Sequence, residues 1–171
     1  MESDEPTTTI CTVVAIDHTN LHYTVCSLCE KTIHESVCKH CTFSRNSATA
    51  APSPKRLFRV LMSIATDTNV FVVVFFDRAA KVLFGCSAQD FFEFSKIHPF
   101  SGETASKILE GEMLRVTLSK PKNGNAQHQR VVSVVPLKTG FRPVIETLRE
   151  LYRVRADNWL LSHFDCYFFM L

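Results

Sequence analysis

The chain has 171 residues, a length that suits one domain with a small insertion. Its apolar fraction of 46% is enough for a core, and its net charge of only +2 excludes a wholesale polycation. Any contact with nucleic acid must therefore come from local basic clusters on a near-neutral body. No stretch of ~18 uninterrupted apolar residues occurs, so we expect no membrane-spanning helix.

The first residues lead into an extended region. Residues 1–8 are acidic and then threonine-rich, and we predict a disordered lead-in there. Thr9 to Asp17 is rich in β-branched side chains, which favours a strand. Leu21 to Val25 is a second extended segment, and it runs directly into a group of cysteines.

Four cysteines form two Cys-x-x-Cys pairs: Cys26, Cys29, Cys38 and Cys41. At this spacing two thiolates on a tight turn can reach one ion, and two such turns complete a tetrahedral shell that is closed to water. We predict a structural zinc ion with zinc–sulfur distances of ~2.3 Å, although an all-sulfur site also suits iron. Disulfides are the alternative, and the absence of a recognisable secretory signal argues against them.

The cysteines belong to a predicted zinc ribbon at about residues 23–43. Glu30 to Val37 would form its small hairpin, and Ser44 to Pro54 a flexible connection. His34 and His40 could each replace a cysteine, but four thiolates already fill the shell. We therefore expect both histidines to be exposed loop residues.

The remaining elements follow from alternation and helical spacing. Lys55 to Asp67 is a predicted strand with Arg59 on the face opposite its apolar residues, and Asp67-Thr68-Asn69 is a turn of hairpin length. Asp77 is a predicted helix cap. The other predicted elements are a strand at Val70–Phe76, helices at Arg78–Phe84, Ser87–Lys96 and Thr104–Leu109, strands at Gly111–Ser119 and Gln129–Leu137, and an amphipathic helix at Phe141–Val154.

This element order predicts a mainly β fold. Five strands with a helix between the third and fourth are the order of an oligonucleotide-binding (OB) barrel. We predict a five-stranded OB-fold barrel at residues 9–155, with the four-cysteine ribbon inserted between strands 1 and 2 and a C-terminal helix. Residues 156–171 form a strongly apolar tail, which either packs on the domain, docks a partner or is an artefact of a shortened gene model or splice form.

Three stretches carry a family resemblance, and they follow the ribbon in order: Phe58-Arg59-Val60-Leu61-Met62-Ser63-Ile64, Phe71-Val72-Val73-Val74-Phe75-Phe76 and Ala80-Lys81-Val82-Leu83-Phe84-Gly85. With the cysteines they resemble the C-terminal DNA-binding domain of the large subunit of replication protein A. The N-terminal domain of the DNA-damage-induced apoptosis suppressor (noxin) family is similar and looks closer still. The resemblance spans about residues 10–155. It implies single-stranded DNA binding in nuclear replication, repair or damage response, with zinc holding the fold.

Binding a single strand without sequence preference needs a basic groove and aromatic faces on which bases stack. On an OB barrel that surface crosses strands 2 and 3 and is bordered by the loop between strands 4 and 5. The candidate DNA contacts are Arg59, Phe71, Phe75, Lys120, Lys122 and Arg130. Each has an ordinary alternative: a cross-strand salt bridge for Arg59, the core for the two phenylalanines, and solvated surface charge for the other three. Tyr23 is expected to pack against the ribbon rather than to stack on a base.

Catalysis is not expected, because a shell of four cysteines leaves no open metal position and no nucleophile motif is visible. A second function class remains open. In replication protein A the helix that resembles Phe141–Val154 joins a three-helix subunit bundle. Here that helix either assembles with other OB-fold subunits or covers its own barrel.

Overall fold

The computed structural model describes residues 5–34, 38–41, 53–120 and 127–153. Its strands are β1 (Thr7–Ile16), β2 (His22–Cys26), β3 (Pro54–Ala65), β4 (Val70–Phe76), β5 (Met113–Ser119) and β6 (Gln129–Pro136). Its helices are α1 (Asp77–Phe84), α2 (Ala88–Ile97), α3 (Ser101–Leu109) and a terminal helix, α4, at residues 144–153.

Five of the strands close into a barrel. The order β1-β5-β6-β4-β3 is completed by pairing between β1 and β3, and β4 with β6 is the parallel pair. The three helices α1 to α3 lie between the third and fourth barrel strands, β4 and β5. The remaining strand, β2, pairs with the first residues of β3 and leads into the cysteine region. The predicted OB barrel with a cysteine cluster between its first two strands is confirmed.

The barrel interior is filled by alternate residues of β3 and β4. On β3 these are Phe58, Val60, Met62 and Ile64, and each is at most 1% exposed. The Phe84 ring of α1 lies 4.7 Å from the Phe58 ring and 5.1 Å from the Phe91 ring of α2. Each fully buried phenylalanine contributes ~1.5–3 kcal/mol relative to an exposed one, so this cluster fastens the helices to the barrel.

The helices begin differently from one another. The predicted cap at Asp77 is wrong, because Asp77 is itself the first residue of α1. Its carboxylate instead accepts a hydrogen bond from the Phe58 backbone N–H at 3.2 Å and pairs with Lys81 at 2.6 Å. In α2, Ser87 is the cap, and its Oγ accepts from the Asp90 N–H at 3.1 Å. The Asp77 carboxylate therefore ties α1 to strand β3.

Helix α4 packs against its own barrel. Val144, Ile145 and Leu148 belong to the barrel core, and each is at most 2% exposed. The helix begins at residue 144 rather than at Phe141, directly after Pro143. The sequence left two arrangements open for this helix, and in the structure it covers its own barrel.

The structure changes the predicted boundary at the N-terminal end of the domain. The lead-in was drawn too long, because Thr7 and Thr8 already pair with Leu118 and Thr117. The apolar tail at 156–171 lies outside the described residues, as do positions 35–37 and 42–52 of the ribbon and its connection. Within the part of the chain that the structure describes, no helix has the length and apolar character needed to cross a membrane.

Gly85 permits the close approach of α4, and its replacement is the first test. Gly85 ends α1 with a φ of 72°, and a Cβ added there would lie 2.3 Å from the Pro143 Cβ. Gly85→Ala is therefore expected to lower the free energy of unfolding by about 2–4 kcal/mol, measured by urea denaturation.

Gly140 supplies the matched control for that substitution. Its φ is also 72°, but nothing lies within 4 Å of an added Cβ. Gly140→Ala should therefore lower the free energy of unfolding by only ~1–2 kcal/mol, the penalty for a left-handed backbone in a residue with a Cβ. Equal losses for the two variants would contradict the close packing of Gly85 on Pro143.

Candidate metal centre and nucleic-acid interface

The four predicted metal ligands lie together. The Sγ atoms of Cys26, Cys29, Cys38 and Cys41 are all within 4.8 Å of one another. Sγ–Sγ distances are 3.7 Å for Cys26 and Cys41 and 3.6 Å for Cys29 and Cys38. A tetrahedron with metal–sulfur bonds of ~2.3 Å has edges of ~3.8 Å, so the cluster has the size that could hold one thiophilic ion.

The backbone of the first cysteine turn prepares Cys26 as a ligand. Glu30 donates its N–H to the Cys26 carbonyl at 2.9 Å, and Leu28 donates to the Cys26 Sγ at 3.4 Å. Hydrogen bonds from the N–H groups of Cys29 and Leu28 lower the pKa of the Cys26 thiol to about 6. Thiolates rather than thiols bind metals, so this turn favours the binding form.

The two histidines of the ribbon do not join the cluster. His34 and His40 are exposed, as predicted, and neither belongs to the four-sulfur group. His40 Nδ1 instead lies 3.3 Å from the Nζ of Lys31. This contact links the two cysteine turns on the surface of the ribbon.

A second candidate site lies on the outer side of the sheet. Arg59 of β3 is directly opposite Phe76 of β4, so the two side chains share a face. The guanidinium carbon of Arg130 on β6 lies 5.0 Å from the centroid of the Phe76 ring, and the Tyr23 ring of β2 lies 6.2 Å from it, edge to face. We call Tyr23, Arg59, Phe76 and Arg130 the aromatic–basic face.

The charges of this face are available to a ligand. Arg59 and Arg130 are exposed, and neither forms an ion pair with any residue that the structure describes. The nearby Asp77 carboxylate is held by Lys81. Burial, more than the charge of Asp77, raises the pKa of the Tyr23 hydroxyl, so the ring stays neutral. Two guanidinium groups beside two partly buried rings can bind a chain of alternating phosphates and bases.

The predicted DNA contacts divide in the structure. Phe75 is 0% exposed inside the barrel, so the prediction that it stacks on a base is wrong. Phe71 shares its strand face and packs partly buried against the core, and its stacking role stays a prediction. Lys120 is exposed at the end of β5, whereas Lys122 lies outside the described residues. Arg59 is opposite Phe76 in the β3–β4 register, and Arg130 lies over the Phe76 ring.

Phe76 is the residue that the sequence reasoning missed. The turn at 66–69 pairs Ala65 with Val70, and counting back along the hairpin places Phe76 opposite Arg59. With Arg59 assigned to the outer face, this register identifies Phe76 as its neighbour. Tyr23 was expected to pack against the ribbon, and the structure places its ring edge to face with the ring of Phe76.

The comparisons with known proteins agree with this fold. The family model described as the replication factor-A C-terminal domain matches residues 7–137, and the chain belongs to this family. OB domains of this type are binding modules rather than enzymes. No curated protein matches the chain.

Two solved structures are similar in fold. One is a replication protein A heterotrimer bound to ssDNA, with a TM-score of 0.63 and 19% identity over 89% of this chain and 36% of that chain. The other is yeast RPA bound to ssDNA, with a TM-score of 0.62 and 15% identity over 91% of this chain and 88% of that chain. This chain therefore matches about a third of the length of the first of these proteins.

The cysteine cluster makes a prediction for metal content. The purified protein should carry about one metal ion per chain by mass spectrometry, and Cys38→Ser should lose it. Because metal binding supplies folding energy, the variant or chelator treatment should lower Tm by roughly 10 °C or more. Cys86→Ser, a cysteine outside the cluster, is the control and should keep the metal. Full metal content and an unchanged Tm in Cys38→Ser would contradict the site.

Proposed function

We propose that the chain is a zinc-stabilised OB-fold protein that binds single-stranded DNA in a nuclear replication, repair or damage-response setting. The observation that carries this proposal is the aromatic–basic face, which offers both charge and stacking surfaces on one side of the barrel. Family membership supports it, as does the ssDNA bound to both structural neighbours. The likeness of the three sequence stretches to the noxin family stays a prediction, and the damage-response setting is proposed on that likeness alone.

Each residue of the face has a proposed role. Phe76 and Tyr23 stack on bases, a contact worth ~1–3 kcal/mol per base. Arg59 and Arg130 neutralise phosphates, and Lys120 extends the basic edge at the end of β5. Zinc in the four-sulfur cluster holds the ribbon in place. Tyr23 lies on β2, the strand that ends at the first ligand, Cys26. Loss of the metal would therefore disturb one end of the face.

Phe76→Ala tests the stacking role. The variant should weaken binding of a labelled dT oligonucleotide by about 5-fold or more in fluorescence anisotropy, because one stacking surface is lost. Phe100→Ala is the matched control, since Phe100 is 72% exposed before helix α3 and is not part of the face. Equal affinities for wild type and Phe76→Ala would rule out stacking at this ring.

The same titration at several salt concentrations tests the charges. Each lost phosphate contact should reduce the slope of log affinity against log salt by ~0.7 for a single strand. Arg130→Ala should show that reduction. Arg115→Ala, an exposed arginine on β5, should keep the wild-type slope. A dT affinity that does not change with salt concentration would contradict the DNA-binding proposal.

Assembly with other OB-fold subunits is the second candidate function. The apolar residues Val144, Ile145 and Leu148 of α4 are already buried on the barrel, but Leu151 is 43% exposed on the same helix. One of the two structural neighbours is a heterotrimer, which favours such partners. A partner subunit would contact Leu151 and the charged outer side of α4.

Leu151→Glu separates the two functions. If α4 docks a subunit, this variant should lose co-purification with OB-fold partners by about tenfold and keep its dT affinity, because a charge is costly in an apolar contact. Ile97→Glu, which places the same charge at an exposed apolar position on α2, is the control. Undiminished co-purification of Leu151→Glu would eliminate this use of the helix.

A further inference from the structure

An open groove lies where strand β3 turns away from strand β1. Its volume is about 540 Å³, and it is lined by residues 9–12 of β1, residues 65–67 at the end of β3, and Met113 of β5. Sites that hold drug-sized ligands have volumes of ~300–1,000 Å³, so a few residues of a peptide fit in this space. We call it the β1 groove.

One wall of the β1 groove is a strand edge that the barrel leaves open. Strand β1 pairs with β5 from Thr7 to Thr12, whereas its pairing with β3 begins at Thr12, opposite Ala65. Among the residues that the structure describes, no strand pairs with the β3 side of β1 before Thr12. Over residues 7–11, β1 therefore has one paired edge and one open edge.

The backbone of two residues faces the groove from this open edge. The Val13 N–H donates to the Glu112 carbonyl, on the β5 side, at 3.0 Å. Successive strand residues direct their N–H and C=O groups to alternate edges, so those of Ile10 and Thr8 point away from β5. The Ile10 carbonyl also accepts from the Thr9 hydroxyl at 3.3 Å and keeps a second lone pair. These groups can form a further antiparallel or parallel ladder.

The opposite wall is a turn whose polar groups bond to one another. The Thr66 N–H donates to the Asn69 carbonyl at 2.8 Å, and the Asn69 N–H donates to the Thr66 Oγ1 at 3.2 Å. Asp67 in this turn is exposed and forms no ion pair with any residue that the structure describes. One wall therefore offers backbone donors and acceptors, and the other offers a carboxylate.

The side chains at the groove favour a peptide over a nucleic acid. Ile10 is 49% exposed and Met113 is 50% exposed, so both can contact an apolar side chain. Arg115 is opposite Ile10 on β5 but does not line the groove, whereas Asp67 does. A carboxylate repels phosphates and attracts a lysine or an arginine. Phosphate groups also lack the alternating donors and acceptors that a strand edge requires.

We propose that the β1 groove binds an extended segment of a partner protein, which adds as a strand to the open edge of β1. Its backbone pairs with Thr8 and Ile10, an apolar side chain packs on Ile10 and Met113, and a lysine or arginine lies beside Asp67. In strand addition the main-chain hydrogen bonds provide affinity and the alternate side chains provide specificity. The chain thereby has a protein-binding site besides the proposed DNA-binding face.

The β1 groove is separate from the aromatic–basic face. Arg59 lies on β3 six residues before Ala65, which corresponds to roughly 20 Å at ~3.3 Å per residue. A bound peptide should therefore leave the affinity for a dT oligonucleotide within about twofold of its value without peptide. Displacement of dT by the peptide would place the peptide on the DNA face and overturn the assignment to the groove.

A blocked peptide of alternating valine and threonine that ends in lysine tests the strand addition. In ¹H–¹⁵N spectra of the full chain, this peptide should shift the amide signals of Thr8 and Ile10 and leave that of Arg59 unchanged. We expect a Kd below about 1 mM. Signals of Thr8 and Ile10 that stay in place at several millimolar peptide would refute the proposal.

N-methylation distinguishes strand addition from apolar contact alone. Two versions of the peptide carry N-methyl groups on alternate residues, so each version lacks the backbone donors of one edge. One version should bind about fivefold or more weakly and the other should keep its affinity, because one edge of the peptide faces β1. Equal affinities of the two versions would be incompatible with strand addition.

Asp67→Asn tests the charge. This variant should bind the lysine peptide about threefold more weakly at low salt and should bind a peptide with norleucine in place of lysine as wild type does. Glu103→Gln removes an exposed carboxylate of α3 that does not line the groove, and it is the control. Equal losses in the two variants would exclude a specific contact with Asp67.

Sedimentation distinguishes a partner protein from a second copy of this chain. The free protein should sediment as a monomer at the concentration of the spectra, so that the groove is open to the peptide. A dimer that the peptide dissociates would show that the groove already holds another copy, and it would overturn the assignment to a partner protein.

Discussion

The hairpin of β3 and β4 depends on strict alternation between two environments. Phe58, Val60, Met62 and Ile64 must leave water together, because each is almost fully buried in the barrel core. A shift of one residue in the pairing would expose all of them, which makes the register strongly specified. The same register sends Arg59 and Phe76 to the outer side together. The candidate interface is therefore a consequence of the core packing.

The metal cluster and the outer face are joined through β2. That strand carries Tyr23 near Phe76 and ends at Cys26, the first ligand of the cluster. It pairs with the first residues of β3 on one edge, and Val25 bridges Thr32 of the ribbon on the other edge. A metal ion that holds the ribbon closed would also hold Tyr23 in position. Strand β2 therefore connects the metal cluster to the proposed DNA-binding surface.

The sequence predicted the fold well where local patterns are strong. The cysteine spacing predicted the four-sulfur cluster, and the alternation in β3 and the breaks around Gly85 predicted the barrel strands and the helices close to their observed bounds. Prediction failed where a residue type fits two environments. A phenylalanine such as Phe75 can stack on a base or fill a core. The closed barrel buries Phe75 completely, which is not evident from the residue type. Asp77 is a residue type that often caps helices, but its carboxylate accepts a hydrogen bond from the Phe58 N–H of β3.

Ultraviolet crosslinking of a dT oligonucleotide, followed by mass spectrometry of the peptides, tests the central claim most directly. Thymine reacts with the residue on which it lies, so the position of the crosslink reports the binding surface. If DNA binds on the aromatic–basic face, crosslinks should form at Phe76 or Tyr23 and should disappear when competitor DNA is added. Crosslinks confined to other surfaces, such as Phe100, would contradict the account.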